Sequence, residues 1–245
     1  MAAVDTDRVD LPNESMEQES EWTEVKVQPR VKSSFPVPKV PKEILSKIVY
    51  PKHRTVAIIF GGLPGSGKST ARQALIDRII SVNKDQDRVG TIEYNVVSTD
   101  DYVQSFADRD GLTFGAAYEE CRRDLSKVFE NQKANAMTQA RLSLRDPLTL
   151  QYIVIFDLTN VRIGYRAYIN ELKRHNFTVF GIFFSSIIKN TKVPHDVFVK
   201  MKEALEPPTV KEGFDRLYIT KTLEGRSIDS ITSNLKEFCP LLTRE

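Results

Sequence analysis

Five short apolar runs alternate with longer amphipathic stretches from residue 55 to the end of the 245-residue chain. Buried strands of a parallel sheet have such nearly continuous apolar runs, and the crossovers between parallel strands are usually helices. The alternation therefore predicts an α/β fold in which a five-stranded parallel sheet carries helices on both faces. Sheets of this kind bind ligands beyond the carboxyl ends of their strands. The predicted strands are TVAIIFGG, YNVVSTD, QYIVIFD, FTVFGIFF and DRLYIT.

The stretches between and after these strands have apolar residues at helical spacing, as Ala71, Leu75 and Ile79 show in the first of them. They are predicted to be the helices that cover the sheet. Their sequences are KSTARQALIDRIISV, FGAAYEECRRDLSKVFENQKANAMTQAR, IGYRAYINELKRHN, PHDVFVKMKEALE and SIDSITSNLKEF.

Residues 1–54 differ in composition from the rest of the chain and are predicted to form a tail and linker. Residues 1–25 are acidic with few apolar side chains, whereas residues 26–54 are basic and carry spaced prolines. A segment with so little apolar surface cannot offset the entropy of ordering, so we expect a disordered acidic N-terminal tail. The folded domain is then expected to occupy residues 55–245. The tail is a candidate docking site for a protein partner, although solubilising disorder is the simpler interpretation.

Charge and cysteine content narrow the class of protein. The formal net charge is +2 at pH 7, so no global field draws the chain to nucleic acid or membrane, and any basic site must be local. Cys121 and Cys239 are far apart and lack metal-site spacing, which favours a reducing compartment. No apolar run approaches the roughly 18 residues of a membrane span, and the N-terminus lacks the layout of a signal peptide. We expect a cytoplasmic or nuclear protein without membrane contact.

A glycine-rich motif between the first predicted strand and the first predicted helix fits the pattern G-x-x-x-x-G-K-[ST] at every fixed position. Small residues let successive backbone amides point into one concavity, and the helix that follows adds its positive end. Lys68 is expected to reach the β- and γ-phosphates of ATP, and Ser69 to bind Mg²⁺. A chance match on a glycine-rich turn is the alternative, and the flanking strand and helix argue against it. The predicted nucleotide-binding residues are Gly62, Leu63, Pro64, Gly65, Ser66, Gly67, Lys68, Ser69 and Thr70.

Carboxylates follow two other predicted strands directly. Asp100 comes after the second strand, where it is a candidate general base, unless Thr99 or Asp100 only caps the next helix. Asp157 ends the third strand, where it is expected to face Ser69 and the Mg²⁺ ion, with a helix-capping cluster as the alternative. The chain contains no N-K-x-D signature of a switch GTPase and is short for a motor ATPase. These features favour a compact kinase.

The motifs GLPGSGKST, STDDY, DLTN and KVPHDVFVKMKEALEPP resemble, in order and spacing, those of the polynucleotide-kinase-like P-loop kinases, which include the kinase domain of bacteriophage polynucleotide kinase. The resemblance covers about residues 55–220. It implies ATP-dependent phosphorylation of the 5′-hydroxyl end of RNA or DNA. It also implies that Lys68 binds phosphate, that Ser69 binds the metal and that Asp100 is the general base. Asp157 would be the carboxylate that faces Ser69 and the Mg²⁺ ion.

The sequence departs from that family's pattern at two places. Val103 stands where an arginine would hold the acceptor phosphate, and the lid SSIIKNTKVP contains Lys189 and Lys192 but no arginine. A lysine supplies charge without the bidentate fork of arginine. The departures leave open a nucleotide-binding module with little turnover, a small-molecule kinase of the same clade and a nucleotide hydrolase. The candidate substitutes, each also consistent with a solvated surface position, are Arg122, Arg123, Arg162 and Arg166.

Overall fold

The computed structural model describes residue 48 and residues 50–84, 90–187, 193–221 and 227–243. Its centre is a five-stranded sheet with the order β2-β3-β1-β4-β5, in which every neighbouring pair is parallel. The predicted α/β fold with a five-stranded parallel sheet and helices on both faces is confirmed. The strands are β1 (Thr55–Gly62), β2 (Thr91–Val97), β3 (Thr149–Asp157), β4 (Thr178–Phe184) and β5 (Arg216–Thr220).

Helices lie on both faces of this sheet, as the alternation predicts. Within the described residues the α-helices are α1 (Lys68–Asn83), α2 (Thr99–Asp110), α3 (Phe114–Cys121), α4 (Leu125–Ser143), α5 (Ile169–Arg174), α6 (His195–Glu203) and α7 (Ile228–Leu235). None of the helices in this part of the chain is both long and apolar enough to cross a membrane.

The central strand β1 sends its side chains alternately into two buried apolar clusters. Ile58 lies in one cluster with Leu75 of α1 and Leu235 of α7. Ile59 lies in the other with Met137 of α4. Full burial of such a side chain contributes about 1.5–3 kcal/mol. Because both faces are covered, β1 is buried along almost its whole length, and its carboxyl end is held rigidly where the phosphate loop begins.

The sequence predicts one helix over residues 114–141, but the structure has two, α3 and α4, separated by a turn. The amide of Asp124 donates to the carbonyl of Cys121 at 2.8 Å in that turn. Ala117 and Cys121 of α3 pack against α2, whereas Met137 of α4 packs against the sheet. Two packing partners require two helix axes, and apolar periodicity does not show where the axis changes.

The predicted helix over residues 163–176 is also divided. A short 3-10 helix, Ile163–Arg166, precedes α5. Arg166 turns into the interior, where it pairs with Glu212, while Leu172 of α5 packs against the sheet. The 3-10 turn thus carries the buried ion pair, and the regular helix begins after it.

Residues directly before β1 already contact the domain. The Tyr50 hydroxyl donates to the carbonyl of Pro147 at 2.8 Å, and Nη2 of Arg54 donates to the carbonyl of Thr149 at 2.6 Å. Residues 1–47 lie outside the described residues, as do the lid lysines, Lys189 and Lys192. The disordered tail, its protein partner and the domain boundary at residue 54 stay predictions.

Candidate active site

The phosphate loop runs from the end of β1 into α1. Gly62 has φ of 135° and Gly67 has φ of 97°, a region that residues with side chains rarely adopt. A Cβ atom on Gly62 would also lie 2.5 Å from the carbonyl oxygen of Phe184. Gly67 is the N-cap of α1 and offers no side-chain cap, so the first amides of this helix are open to an anion.

Lys68 bends back over the loop and is only 8% exposed. Its Nζ donates to the carbonyl oxygens of Gly62 at 2.8 Å and Leu63 at 3.1 Å. Burial lowers the pKa of Lys68, and the carboxylates of Asp157 and Asp100 oppose that shift. The phosphates of a bound nucleotide would place further negative charge beside this buried ammonium. That charge would stabilise the protonated form of Lys68, so Lys68 is suited to bind phosphate.

The hydroxyl of Ser66 supports the same interpretation of the loop. It is buried and has no hydrogen-bond partner within the described part of the chain. A buried polar group without a partner is costly, so such groups commonly mark a place that a ligand or water completes. We therefore expect the Ser66 hydroxyl to find its partner when the loop is occupied.

The loop after β3 is hydrogen-bonded to the phosphate loop. Asp157 pairs in register with Phe60 of β1, so both strands end at one edge of the sheet. The carbonyl of Thr159 accepts a hydrogen bond from the amide of Gly62 at 3.0 Å. Nδ2 of Asn160 donates to the carbonyl of Phe60 at 3.2 Å. These bonds hold the Asp157 carboxylate, which is 5% exposed, next to the start of α1.

Asp100 lies in the first turn of α2 and is not the cap of that helix. The N-cap is Ser98, whose hydroxyl accepts a hydrogen bond from the amide of Asp101 at 3.2 Å. The Asp100 side chain is exposed to solvent, and the protein around it removes only part of its hydration. This loss of solvent raises the pKa of Asp100, and the charges of Asp157 and Asp101 raise it further against the opposing Lys68 and Arg72.

A cavity of about 370 Å³ joins the phosphate loop to Asp100. Its floor is the loop and the start of α1, and its walls come from α2, α3, α6 and the two residues directly before α6. The walls are largely apolar and aromatic. The lining residues are Pro64, Gly65, Gly67, Lys68, Ser69, Thr70, Asp100, Gln104, Phe114, Gly115, Tyr118, Glu119, Thr159, Val193, Pro194, Val197 and Met201.

The four candidate arginines do not line this cavity. Arg122 is exposed and pairs with Glu119 at 3.0 Å, and Arg123 and Arg162 are exposed elsewhere on the surface. Arg166 is 1% exposed and makes a two-point ion pair with Glu212. Its Nη1 also donates to the carbonyl of Asn160, which makes Arg166 part of the support beneath the loop after β3. Val103 is buried between α2 and α3, where it fills an apolar cluster.

Arg72 is the charged residue of this region that sequence reasoning missed. Its guanidinium binds both carboxylate oxygens of Asp101, at 2.7 and 3.1 Å, and Oδ2 of Asp157 at 3.2 Å. The available signal was its position on α1, one turn after Lys68 and therefore on the same helix face. Nothing in the local pattern, however, shows that two other elements bring carboxylates to it.

The residues present fit a magnesium ion bound together with a nucleotide. Ser69 is exposed on the cavity floor, and Asp157 provides a carboxylate at the same edge of the sheet. In the described parts of the chain, no group of three or more His, Cys, Asp or Glu side chains forms a candidate metal site. Mg²⁺ commonly takes one or two protein oxygens and completes its shell with phosphate oxygens and water, which agrees with this sparse donor set.

No protein-family model matches the chain, and no curated protein matches it in sequence. Among solved structures it is similar to Chaetomium thermophilum Kti12, solved in complex with ADP-AlF3, at 15% identity and a TM-score of 0.43, over 76% of this chain and 96% of that chain. It is also similar to a candidate kinase from Chloroflexus aurantiacus at 17% identity and a TM-score of 0.46, over 76% of this chain and 99% of that chain.

Proposed function

We propose that this chain is a kinase that binds ATP with Mg²⁺ and transfers the γ-phosphoryl group to a hydroxyl held beside Asp100. The observation that carries the proposal is that one cavity is lined both by Gly65, Lys68 and Ser69 of the phosphate loop and by Asp100. A terminal phosphate and an acceptor hydroxyl would therefore meet in one place. Positioning of this kind, with electrostatic stabilisation, supplies most of the catalysis in phosphoryl transfer.

The nucleotide side of the cavity is expected to bind the phosphates of ATP. The uncapped amides at the start of α1 face this site, and Lys68 can exchange its two carbonyl partners for phosphate oxygens. Ser69 and Asp157 would hold Mg²⁺, which neutralises charge on the phosphate oxygens when bound.

Asp100 is proposed to accept the proton of the acceptor hydroxyl. As the acceptor oxygen bonds to the γ-phosphorus, the bond from that phosphorus to the bridging oxygen breaks and ADP leaves. The proton passes to Asp100 and then to solvent. The raised pKa of Asp100 supports this role, because a base works best when its pKa is closer to the working pH.

The motif resemblance favours a polynucleotide as acceptor, with the 5′-hydroxyl of RNA or DNA at Asp100. Glu119 lines the cavity and pairs with Arg122 outside it, so a strand that leaves the cavity past α3 would meet Arg122 and Arg123. Phosphates bound there would release counterions. Activity on 5′-hydroxyl oligomers should then fall steeply with salt.

The apolar walls of the cavity favour a second candidate, a kinase of small molecules. Phe114 and Tyr118 on α3, with Val197 and Met201 on α6, offer surfaces for a ring, and Lys68 is the only basic residue among the described lining residues. A volume of about 370 Å³ also lies near the lower end of the roughly 300–1,000 Å³ typical of small-ligand pockets. A nucleoside-sized acceptor fits these properties.

Transfer of radiolabel from ATP separates these candidates. The wild-type protein is assayed with 5′-hydroxyl RNA, 5′-hydroxyl DNA and a panel of nucleosides at several salt concentrations. Labelled oligomers and a steep salt response support the polynucleotide kinase, whereas labelled nucleosides and a flat response support the small-molecule kinase.

The double change Arg122→Glu and Arg123→Glu should raise the KM for oligomers and leave the KM for ATP unchanged. The matched control is the double change Arg174→Glu and Lys236→Glu, which reverses the same amount of charge at exposed positions that do not line the cavity. Intact ATP binding without transfer to any acceptor would overturn the kinase proposal.

A further inference from the structure

Arg72 joins two carboxylates that belong to different elements of the site. Asp101 comes from the first turn of α2, and Asp157 comes from the end of β3. The guanidinium makes two hydrogen bonds to Asp101, at 2.7 and 3.1 Å, and an ion pair with Asp157 at 3.2 Å. The Arg72 side chain is only 13% exposed and Asp157 only 5%, so solvent screens this ion pair less than a surface pair, whereas Asp101 is 54% exposed.

The bond to Asp101 also fixes the direction of Asp100. Successive residues of a helix point about 100° apart, so Asp101 can bind Arg72 while Asp100 faces the cavity. The amide of Asp101 is meanwhile held by the Ser98 cap. With both its side chain and its amide engaged, Asp101 anchors the first turn of α2 to α1, the helix that carries Lys68 and Ser69.

The same guanidinium lies within a cluster of like charges. The carboxylates of Asp101, Asp157 and Asp100 meet at one edge of the sheet, and Glu119 of α3 lines the cavity that Asp100 faces. Lys68 and Arg72 are the cations that face this cluster in the described residues. Without Arg72, the carboxylates of Asp157 and Asp101 would lose their shared counter-ion, and their repulsion would move the first turn of α2 away from β3.

We infer that Arg72 is a positioning residue, which sets the spacing between the candidate base Asp100 and the candidate metal-binding carboxylate Asp157. The inference rests on the proposed function. It means that one residue of α1 positions both the metal-binding carboxylate and the base. By binding Oδ2 of Asp157, Arg72 orients that carboxylate for Mg²⁺. By binding Asp101, it orients Asp100 toward the acceptor. It touches neither substrate in this arrangement, since it does not line the cavity.

Two variants remove the contact from opposite sides. Arg72→Ala removes the guanidinium, and Asp101→Ala removes its partner on α2. Asp101 is 54% exposed, so its loss is expected to leave the domain folded. Arg72→Lys keeps the charge but has one ammonium in place of a planar fork, so it cannot reproduce the three contacts. Arg78→Ala is the matched control, since Arg78 lies on the same helix and donates through Nε to the carbonyl of Leu242, away from the cavity.

The first measurement is ATP binding by calorimetry with and without Mg²⁺. In Arg72→Ala we expect the enhancement of ATP affinity by Mg²⁺ to fall about 10- to 100-fold, the usual effect of losing a residue that orients a metal ligand. Affinity without Mg²⁺ and the affinity of the Arg78→Ala control should change little. A residue that only stabilised the fold would lower the melting temperature without changing this ratio.

The second measurement is turnover with the acceptor found for the wild-type protein. Arg72→Ala and Asp101→Ala should each lower kcat more than they raise the KM for ATP. Their combination should cost less than the product of the single effects, because both changes remove the contact between Arg72 and Asp101. Arg72→Lys should recover stability but not kcat.

Failure of this inference and failure of the proposed function give different results. If the wild-type protein transfers phosphate to no acceptor, the kinase proposal fails, while the effect of Mg²⁺ on ATP binding still tests the hold of Arg72 on Asp157. The inference is overturned if that enhancement is absent in the wild type. It is equally overturned if both Arg72→Ala and Asp101→Ala keep the enhancement by Mg²⁺ and the kcat within about two-fold of the wild-type values. A change of that size is no larger than the effect of an ordinary surface substitution.

Discussion

The amide of Gly62 donates a hydrogen bond to the carbonyl of Thr159 at 3.0 Å, and this bond connects the phosphate loop to the loop after β3. The strands β1 and β3 are parallel neighbours, so their loops leave the sheet at the same edge. The bond from the Asn160 side chain to the carbonyl of Phe60 adds a second link. The position of Asp157 relative to the phosphate loop is therefore set by backbone geometry, before any ligand binds.

Replacing Gly62 tests how strongly the phosphate loop depends on this geometry. A Cβ at this position would lie 2.5 Å from the carbonyl oxygen of Phe184, at a φ of 135°. Gly62→Ala is expected to lower the free energy of unfolding by at least about 1–3 kcal/mol and to weaken ATP binding. Gly164→Ala is the control, because nothing lies within 4 Å of its Cβ position. Denaturant unfolding measures the difference, and equal losses for the two variants would contradict the argument.

Removing the Lys68 side chain should separate binding from folding. A hydrogen bond to a charged group is worth about 1.5–3 kcal/mol, so Lys68→Ala should weaken ATP binding about 10- to 100-fold. The protein should still unfold cooperatively, since burial penalises the ammonium of Lys68 in the folded state. Calorimetry with ATP and Mg²⁺ checks the first result, with Lys84→Ala, an exposed lysine just after α1, as the control. If Lys68→Ala binds ATP as tightly as the wild type, these residues are not the phosphate-binding loop.

Much of this architecture follows from local sequence patterns. The strands β1, β3 and β4 are nearly continuous apolar runs because both faces of the sheet are covered there, and runs of that kind are visible without a structure. The edge strands β2 and β5 are only partly buried. The phosphate loop is equally visible, since its glycines are required by backbone conformations that other residues avoid. Asp100 and Asp157 could be selected because each lies at or shortly after the carboxyl end of a strand.

Contacts between distant segments were not predictable in the same way. Arg72 meets Asp101 and Asp157 only because three elements converge at one edge of the sheet. Arg166 has a partner in Glu212, 46 residues away, and without that partner it looks like a solvated arginine. The cap of α2 is Ser98, where the sequence offered Thr99 or Asp100, because neighbouring polar residues suit a cap almost equally well.

Asp100→Asn should leave ATP affinity nearly unchanged and slow phosphoryl transfer by roughly 10²–10⁴-fold, the usual contribution of a positioned base. The amide keeps the shape of the side chain but cannot accept the proton. Single-turnover transfer to the acceptor measures the effect. Asp108→Asn, an exposed residue later in α2, provides the matched control. If Asp100→Asn and Asp108→Asn transfer at the same rate, Asp100 is not the base.

The stability of the protein should depend on pH through Asp100 in a stated direction. The pKa of Asp100 is raised in the folded state, so the folded protein holds this proton more tightly than the unfolded chain. The penalty for its charge is then complete above the folded pKa and disappears as pH falls toward the ordinary pKa of an aspartate. Asp100→Asn should therefore unfold at higher denaturant concentration than the wild type at pH 7, with a smaller advantage at acid pH. An advantage that grows as the pH falls would contradict the raised pKa.

The most direct test of the account is a crystal structure of the protein with a non-hydrolysable ATP analogue and Mg²⁺. The terminal phosphate is expected to bind Nζ of Lys68 and to face Asp100 across the cavity, with the metal between Ser69 and Asp157. A terminal phosphate that points away from this cavity, with Asp100 separated from it by protein, would contradict the claim that the phosphate loop and Asp100 form one site.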